Sequence, residues 1–378
     1  MASSVQTAED IVSTAKQDEN SLRIPLRIDS IDETEDHDYW AQIVHCSDVT
    51  GVHVKITVFE DCELAGYEFI EGSWYEFDDV RPDIYQGTIG IQAKWERQIQ
   101  ELENCPAPSS PSGDGVVKKL GDAESIAALD IETISTVSES DREATNPDHQ
   151  EILCIGLGYR ADCDSEVETE VLFREDQTET AELEAIEAVV DWIETRDIEV
   201  IVTFSGAWFD FPVLLGRAKR AAVATGEPER GDRIRTVLES HHHADLSAAK
   251  NRALGAGSLE DMASHVGSPV PTTCWTDYET GLSPRNWRGD QWQLMHENGR
   301  TPPSYDLDDT EIFNSDIPYF GAAWLEAPSD GSDTRATELY DCIEDYTKAD
   351  IQPLFSIADH EITRGQPAFQ MSYDVNGG

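Results

Sequence analysis

The chain has 378 residues, of which 39% are apolar, enough for two domains with real cores. Its 76 Asp and Glu against 27 Lys and Arg give a formal net charge of −49. These acids are spread along the whole chain among Trp, Tyr, Phe and Ile, which excludes a disordered acidic tail and reads as a halophile's surface, where molar salt screens self-repulsion over about 3 Å. In such a chain the lack of a basic patch says little against nucleic-acid binding. The seven Cys are scattered with no C-x-x-C, which points to reduced thiols and an intracellular setting. No charged leader opens the sequence, and no apolar run approaches the roughly 18 to 20 residues of a membrane span. A soluble, cytoplasmic protein without membrane partners is expected.

Residues 1–20 are polar and read as a flexible N-terminus, with a short helix over Ala8–Lys16. Short strands follow. Leu22–Ile28 alternates, Tyr39–Cys46 follows an acidic turn, and His53–Phe59 alternates after the turn Asp48-Val49-Thr50-Gly51. Gly72–Phe77 and Thr88–Ala93 complete a small all-β barrel. The order Asp48-x-x-Gly51, Val54-x-Ile56-x-Val58-Phe59, Glu71-Gly72-Ser73-Trp74-Tyr75 and Tyr85-x-Gly87-x-Ile89 resembles an OB-fold of the replication protein A type, covering residues 21–103. That resemblance implies single-strand binding by base stacking, with Trp40, Phe59, Tyr85 and Trp95 as candidates. It equally admits docking of replication or repair proteins, because one fold serves many functions. Residues 104–117, rich in Pro, Ser and Gly, read as a linker.

Residues 118–378 read as an α/β domain. Ile126–Ile134, Glu151–Tyr159 and Glu170–Phe173 are strands. Ala181–Thr195 is a helix with an apolar stripe, and Val200–Phe204 is a strand buried on both faces. Asp210–Val223 reads as a helix, His243–Leu246 as a strand, and Ser258–Ala263 as a short helix with a capping pattern. His241-His242-His243 reads as a polar strand edge, since successive strand residues cannot all face one metal ion. About 271–333 is a long Trp-rich insertion without clear periodicity, expected to act as a functional lid. Thr337–Ile362 is an amphipathic helix with a kink expected at Pro353.

Three places carry chemistry. Asp130 and Glu132 are two residues apart on an apolar strand, so they share a face and call for a cation. Asp210 lies between Phe209 and Phe211 where a strand turns into a helix, a usual position for α/β sites; read alone it fits a helix cap. Tyr346 and Asp350 are i and i+4 on a core-facing helix.

In this order the three motifs resemble the DEDD superfamily of 3′–5′ exonucleases, Tyr-type branch, on the ribonuclease H-like fold, and are most similar to the proofreading domain of family B DNA polymerases. Thr203-Phe204-Ser205-Gly206-x-x-Phe209-Asp210-x-Pro212 carries part of that likeness, although the family usually has Asn where Ser205 stands. The resemblance implies a mixed sheet flanked by helices and two Mg²⁺ or Mn²⁺ ions, held by Asp130, Glu132, Asp210 and Asp350. It implies that Tyr346 orients the attacking water, and that Thr133, Ser205 and Phe209 contact the strand. The implied reaction is two-metal hydrolysis of single-stranded nucleic acid, DNA in preference to RNA, releasing nucleoside 5′-monophosphates. The rival reading is a non-catalytic strand-binding or protein-interaction module on a nuclease-like scaffold.

Overall fold

The computed structural model describes residues 6–16, 21–33, 40–104, 116–137, 143–249, 257–297, 306–327 and 334–373. Most of the expected linker lies outside them. Among the described residues two sheets form, each from one half of the chain.

The first sheet contains β1 (Leu22–Glu33), β2 (Trp40–Ser47), β3 (His53–Phe59), β4 (Trp74–Tyr85), β5 (Thr88–Gln92) and β6 (Ile99–Leu102). Their order is β1-β2-β3-β5-β4-β6, and β1 also pairs with β4, which closes a barrel. This β-rich region resembles an OB domain. Alternating apolar residues fill it, with Ile24, Leu26, Ile56, Val58, Tyr75 and Phe77 all but inaccessible. The short helix expected in the N-terminal stretch is α1 (Ala8–Lys16), and its Ala8, Ile11 and Val12 are buried. The apolar stripe of this short helix finds the barrel, and the Ala8 amide donates to Asp48 Oδ2 at 2.8 Å.

The second sheet has seven strands in the order β10-β9-β8-β11-β12-β13-β7. They are β7 (Val117–Lys119), β8 (Ile126–Ser135), β9 (Gln150–Arg160), β10 (Glu168–Phe173), β11 (Val200–Thr203), β12 (His242–Asp245) and β13 (Pro367–Phe369). β8, β11 and β12 run parallel and the outer strands antiparallel, so the sheet is mixed. Three helices, α2 (Glu179–Glu194), α3 (Asp210–Thr225) and α4 (Pro228–Ser240), pack together; α8 (Thr334–Asp359) lies against β8, β9 and β10.

The insertion is more regular than its sequence suggests. It holds α6 (Arg285–Glu297) and α7 (Ile317–Glu326), and follows the short α5 (Leu259–His265). In α6 the buried residues are Trp287, Arg288 and Gln291, a polar anchor rather than an apolar stripe, so periodicity gives no signal. Trp287 Nε1 and Arg288 Nε both donate to the buried Asp316 carboxylate, at 2.8 and 3.0 Å. α8 runs through Pro353 without ending, with Pro353 buried.

Candidate active site

Asp130 and Glu132 sit on β8 opposite Gly156 and Cys154 of β9. The register slips after Glu132, which leaves Leu153 as an extra residue on β9. Gly156 and Gly158 expose bare backbone on this face. A Cβ at Gly156 would lie 2.7 Å from Thr347 Cγ2, and one at Gly158 the same distance from Ile351 Cγ2. Two glycines therefore let α8 settle directly onto the sheet. That approach brings Tyr346 and Asp350 to the two strand acids.

One carboxylate oxygen each of Asp130, Glu132 and Asp350 lies within 4.8 Å of the other two. Glu132 is buried, the other two half-buried. Burial raises the Asp130 carboxyl well above the ordinary range, and the charge of Asp210 adds to it. For Glu132, burial acts first, then Asp130, Asp350 and Asp210, all carboxylates. Asp350 is raised by burial, Asp130 and Glu260, against a hydrogen bond from the Tyr346 hydroxyl. The Tyr346 phenol is itself pushed up by burial and by Asp350, Glu132 and Asp130.

Asp210 opens α3 and is 2% exposed. It does not cap the helix: Phe209 occupies that position and makes no side-chain cap bond. Its carboxyl is raised by burial and Asp245, while the Ile131 amide donates to it. Asp210 stands outside the closest group of three but acts electrostatically on two of its members.

The donor set fits a hard divalent cation. It is all oxygen and mutually repelling.

Asp245, at the end of β12, was not among the residues singled out from sequence. It is fully buried and holds the turn before Asp210. Its Oδ1 accepts from the Ser205 and Ser247 amides at 2.8 and 3.0 Å, and its Oδ2 from the Ala207 amide at 3.0 Å. Ser205 is held at φ +69°, a left-handed conformation that Asn tolerates better than Ser. His243, expected at a polar edge, is 2% exposed in the sheet interior. Its ring nitrogens lie 2.7 Å from Thr203 Oγ1 and from the Tyr373 hydroxyl, and burial pushes its pKa down to about 3.

Of the expected strand contacts, Thr133 is buried with its hydroxyl donating to Gln150 Oε1 at 3.0 Å. Phe209 packs half-buried on the core. Tyr85 is 59% and Trp95 40% exposed, Trp95 with Arg97 over its ring, and Phe59 is half-buried. Trp40 begins β2, but its side chain lies outside the described residues. The insertion walls a cavity of about 280 Å³ beside the acids, lined by Pro271, Thr273 and Glu311 with Glu260, Tyr346 and Asp350.

No protein-family model matches the sequence, and no curated protein sequence matches it. Among solved structures, the chain is similar to an OB domain from Methanosarcina mazei, at 21% identity and a TM-score of 0.21, over 23% of this chain and 79% of that one. It is also similar to the family B DNA polymerase of the hyperthermophilic archaeon Pyrobaculum calidifontis, at 13% identity and a TM-score of 0.27. That match covers 65% of this chain, which spans 40% of the polymerase. Among the described residues no helix is long and apolar enough to cross a membrane.

Proposed function

We propose that the protein is a metal-dependent 3′–5′ exonuclease of the DEDD type on a ribonuclease H-like domain, acting on single-stranded nucleic acid, with DNA preferred. The observation that carries this reading is the convergence of three carboxylates, Asp130, Glu132 and Asp350, with Asp210 acting on two of them and Tyr346 hydrogen-bonded to the third. Gathering such a group away from water is costly unless a cation matches it or its members take up protons. Bound Mg²⁺ or Mn²⁺ supplies charge relief at the phosphodiester and an acidified water.

The chain's own residues do the rest. Asp130, Glu132 and Asp350 provide the closest ligand set, and Asp210 adds charge from the helix start. Tyr346, hydrogen-bonded to Asp350, is placed to orient the nucleophile. The Asp245-held turn fixes where Asp210 begins α3, and the insertion shields the cavity beside Tyr346 from bulk water. The barrel presents single strands, raising their local concentration at the site.

The test is digestion of 3′- and 5′-labelled single-stranded DNA and RNA in molar KCl with Mn²⁺ or Mg²⁺. Shortening from the 3′ end that vanishes with chelator or in Asp130→Ala supports the reading. Intact oligonucleotide under every metal condition, shifted in a gel, leaves a strand-binding module instead.

A further inference from the structure

Two cavities, of about 590 and 340 Å³, lie along the seam between the barrel and the second sheet, and they share Tyr85, Gln86 and Trp208. One in five residues of this chain is acidic, 76 of 378. Yet among the described residues lining these two cavities there is no Asp or Glu. Concavity alone does not explain this, because the cavity beside Tyr346 is lined by Glu260, Glu311 and Asp350. Instead the seam carries Lys16, His45, His53 and Lys55. Three acids around it are engaged: Asp245 lies buried under its amide donors, Asp32 contacts His45 at 2.9 Å, and Asp83 acts on Lys55. Two exposed aromatics face this strip from opposite sides, Tyr85 from the β4–β5 hairpin at 59% exposure and Trp208 from the Ser205–Phe209 turn at 48%.

We infer that this acid-free seam is the track on which one single strand of DNA lies, with bases stacked on Tyr85 and Trp208 and its 3′ end passing over the 205–209 turn to Asp210. The inference rests on the nuclease reading and adds the path. On a chain this acidic, a strip free of acids and carrying Lys and His is complementary to a polyanion. In molar salt, where Coulombic attraction is screened, stacking is the contact that persists. Val12, Ile84, Pro212 and Met371 give the wall an apolar stretch that suits deoxyribose, in a lining that also holds Gln86, Thr145, Gln370 and Ser372.

The test is anisotropy of 5′-fluorescein dT20 in molar KCl with EDTA, so that binding is read without cleavage. Trp208→Ala and Tyr85→Ala are each expected to weaken binding about 10-fold, and the pair about 100-fold. Both side chains are exposed, so their loss leaves the cores intact; a thermal melt checks this. Ile70→Ala, at an exposed residue that lines neither cavity, serves as the control. Seam variants that bind as the wild type does, or a loss in Ile70→Ala as large as theirs, would overturn the track. So would competition by rU20 or by duplex that equals unlabelled dT20. The nuclease reading fails separately, if wild type binds dT20 in EDTA but leaves it intact in Mn²⁺.

Discussion

Two groups of buried charge in this protein are built on opposite rules. Under α2 and α3, Arg217 and Glu182 are almost wholly inaccessible, and each answers the other. Arg217 Nε donates to Glu182 Oε1 at 2.9 Å, Glu182 also accepts from the Ile152 amide at 2.7 Å, and Glu179 and the Pro147 carbonyl take the remaining guanidinium donors. Arg288 and Asp316 in the insertion repeat the pattern. At the end of β8 the charges that act on Glu132 are all carboxylates. Where charge only holds the fold together, the chain supplies both signs. Where it supplies one sign, the balance is left to a cation or to bound protons.

The largest expected effect lies at the uncompensated group. Asp130→Asn should lower hydrolysis about 1,000-fold or more, the loss of several kcal/mol of metal-derived stabilisation, read as initial rates in Mn²⁺. At the compensated group, Arg217→Met should cost about 3 to 5 kcal/mol in urea unfolding, because Glu182 is left buried and unpaired. The double variant with Glu182→Leu should recover most of that; a double variant as unstable as the single would break the comparison. Mn²⁺ at 100 times its dissociation constant should stabilise the wild type by about 2.7 kcal/mol and Asp130→Asn by much less, read as a shift in melting temperature. Removing the metal should abolish the shift in both.

A third buried group is neither paired with charge nor mutually repelling. His243 is held neutral between Thr203 and Tyr373, with a folded pKa of about 3 against an ordinary 6.5. The unfolded chain therefore takes up the proton first as pH falls. The stability that depends on a neutral His243 is present above about 6.5 and is lost toward pH 3, by about 1.4 kcal/mol per pH unit. His243→Asn should be less stable at pH 7 and should close the gap on the wild type as the solution is acidified. The smallest effect has the opposite sign to that at Arg217: without metal, Asp130→Asn should be more stable than wild type by about 1 kcal/mol, because one repelling carboxylate is gone.

The acids of the site were legible because their spacing is local. Asp130 and Glu132 share a strand face by the period of two, and Tyr346 and Asp350 share a helix face by i, i+4, so no long-range information was needed to pair them. The barrel strands were legible for the same reason. Asp245 was not: its role comes from amides of Ser205 and Ala207, some 40 residues away in sequence, and a lone Asp after three histidines gives no pattern. α4 escaped because only Gly231, Ile234 and Leu238 are buried in a strongly charged helix whose Arg230 and Arg233 pair with Glu187 of α2. Trp208 carried the one available signal, a large aromatic in a turn, but its exposure depends on how barrel and sheet meet.

That meeting is tight. The His53 amide donates to the Gly365 carbonyl at 2.7 Å, and the Gly87 hairpin tip is so close to β12 that a Cβ there would lie 2.6 Å from Asp245 Cβ. A barrel pinned at two points to the sheet keeps a constant distance from the seam to the acids. If the protein trims strands from the 3′ end as proposed, it is a ruler as well as a blade: an oligonucleotide long enough to reach from Tyr85 to Asp130 would be gripped and trimmed, one cut below that span would let go, and digestion should leave a residue of characteristic length.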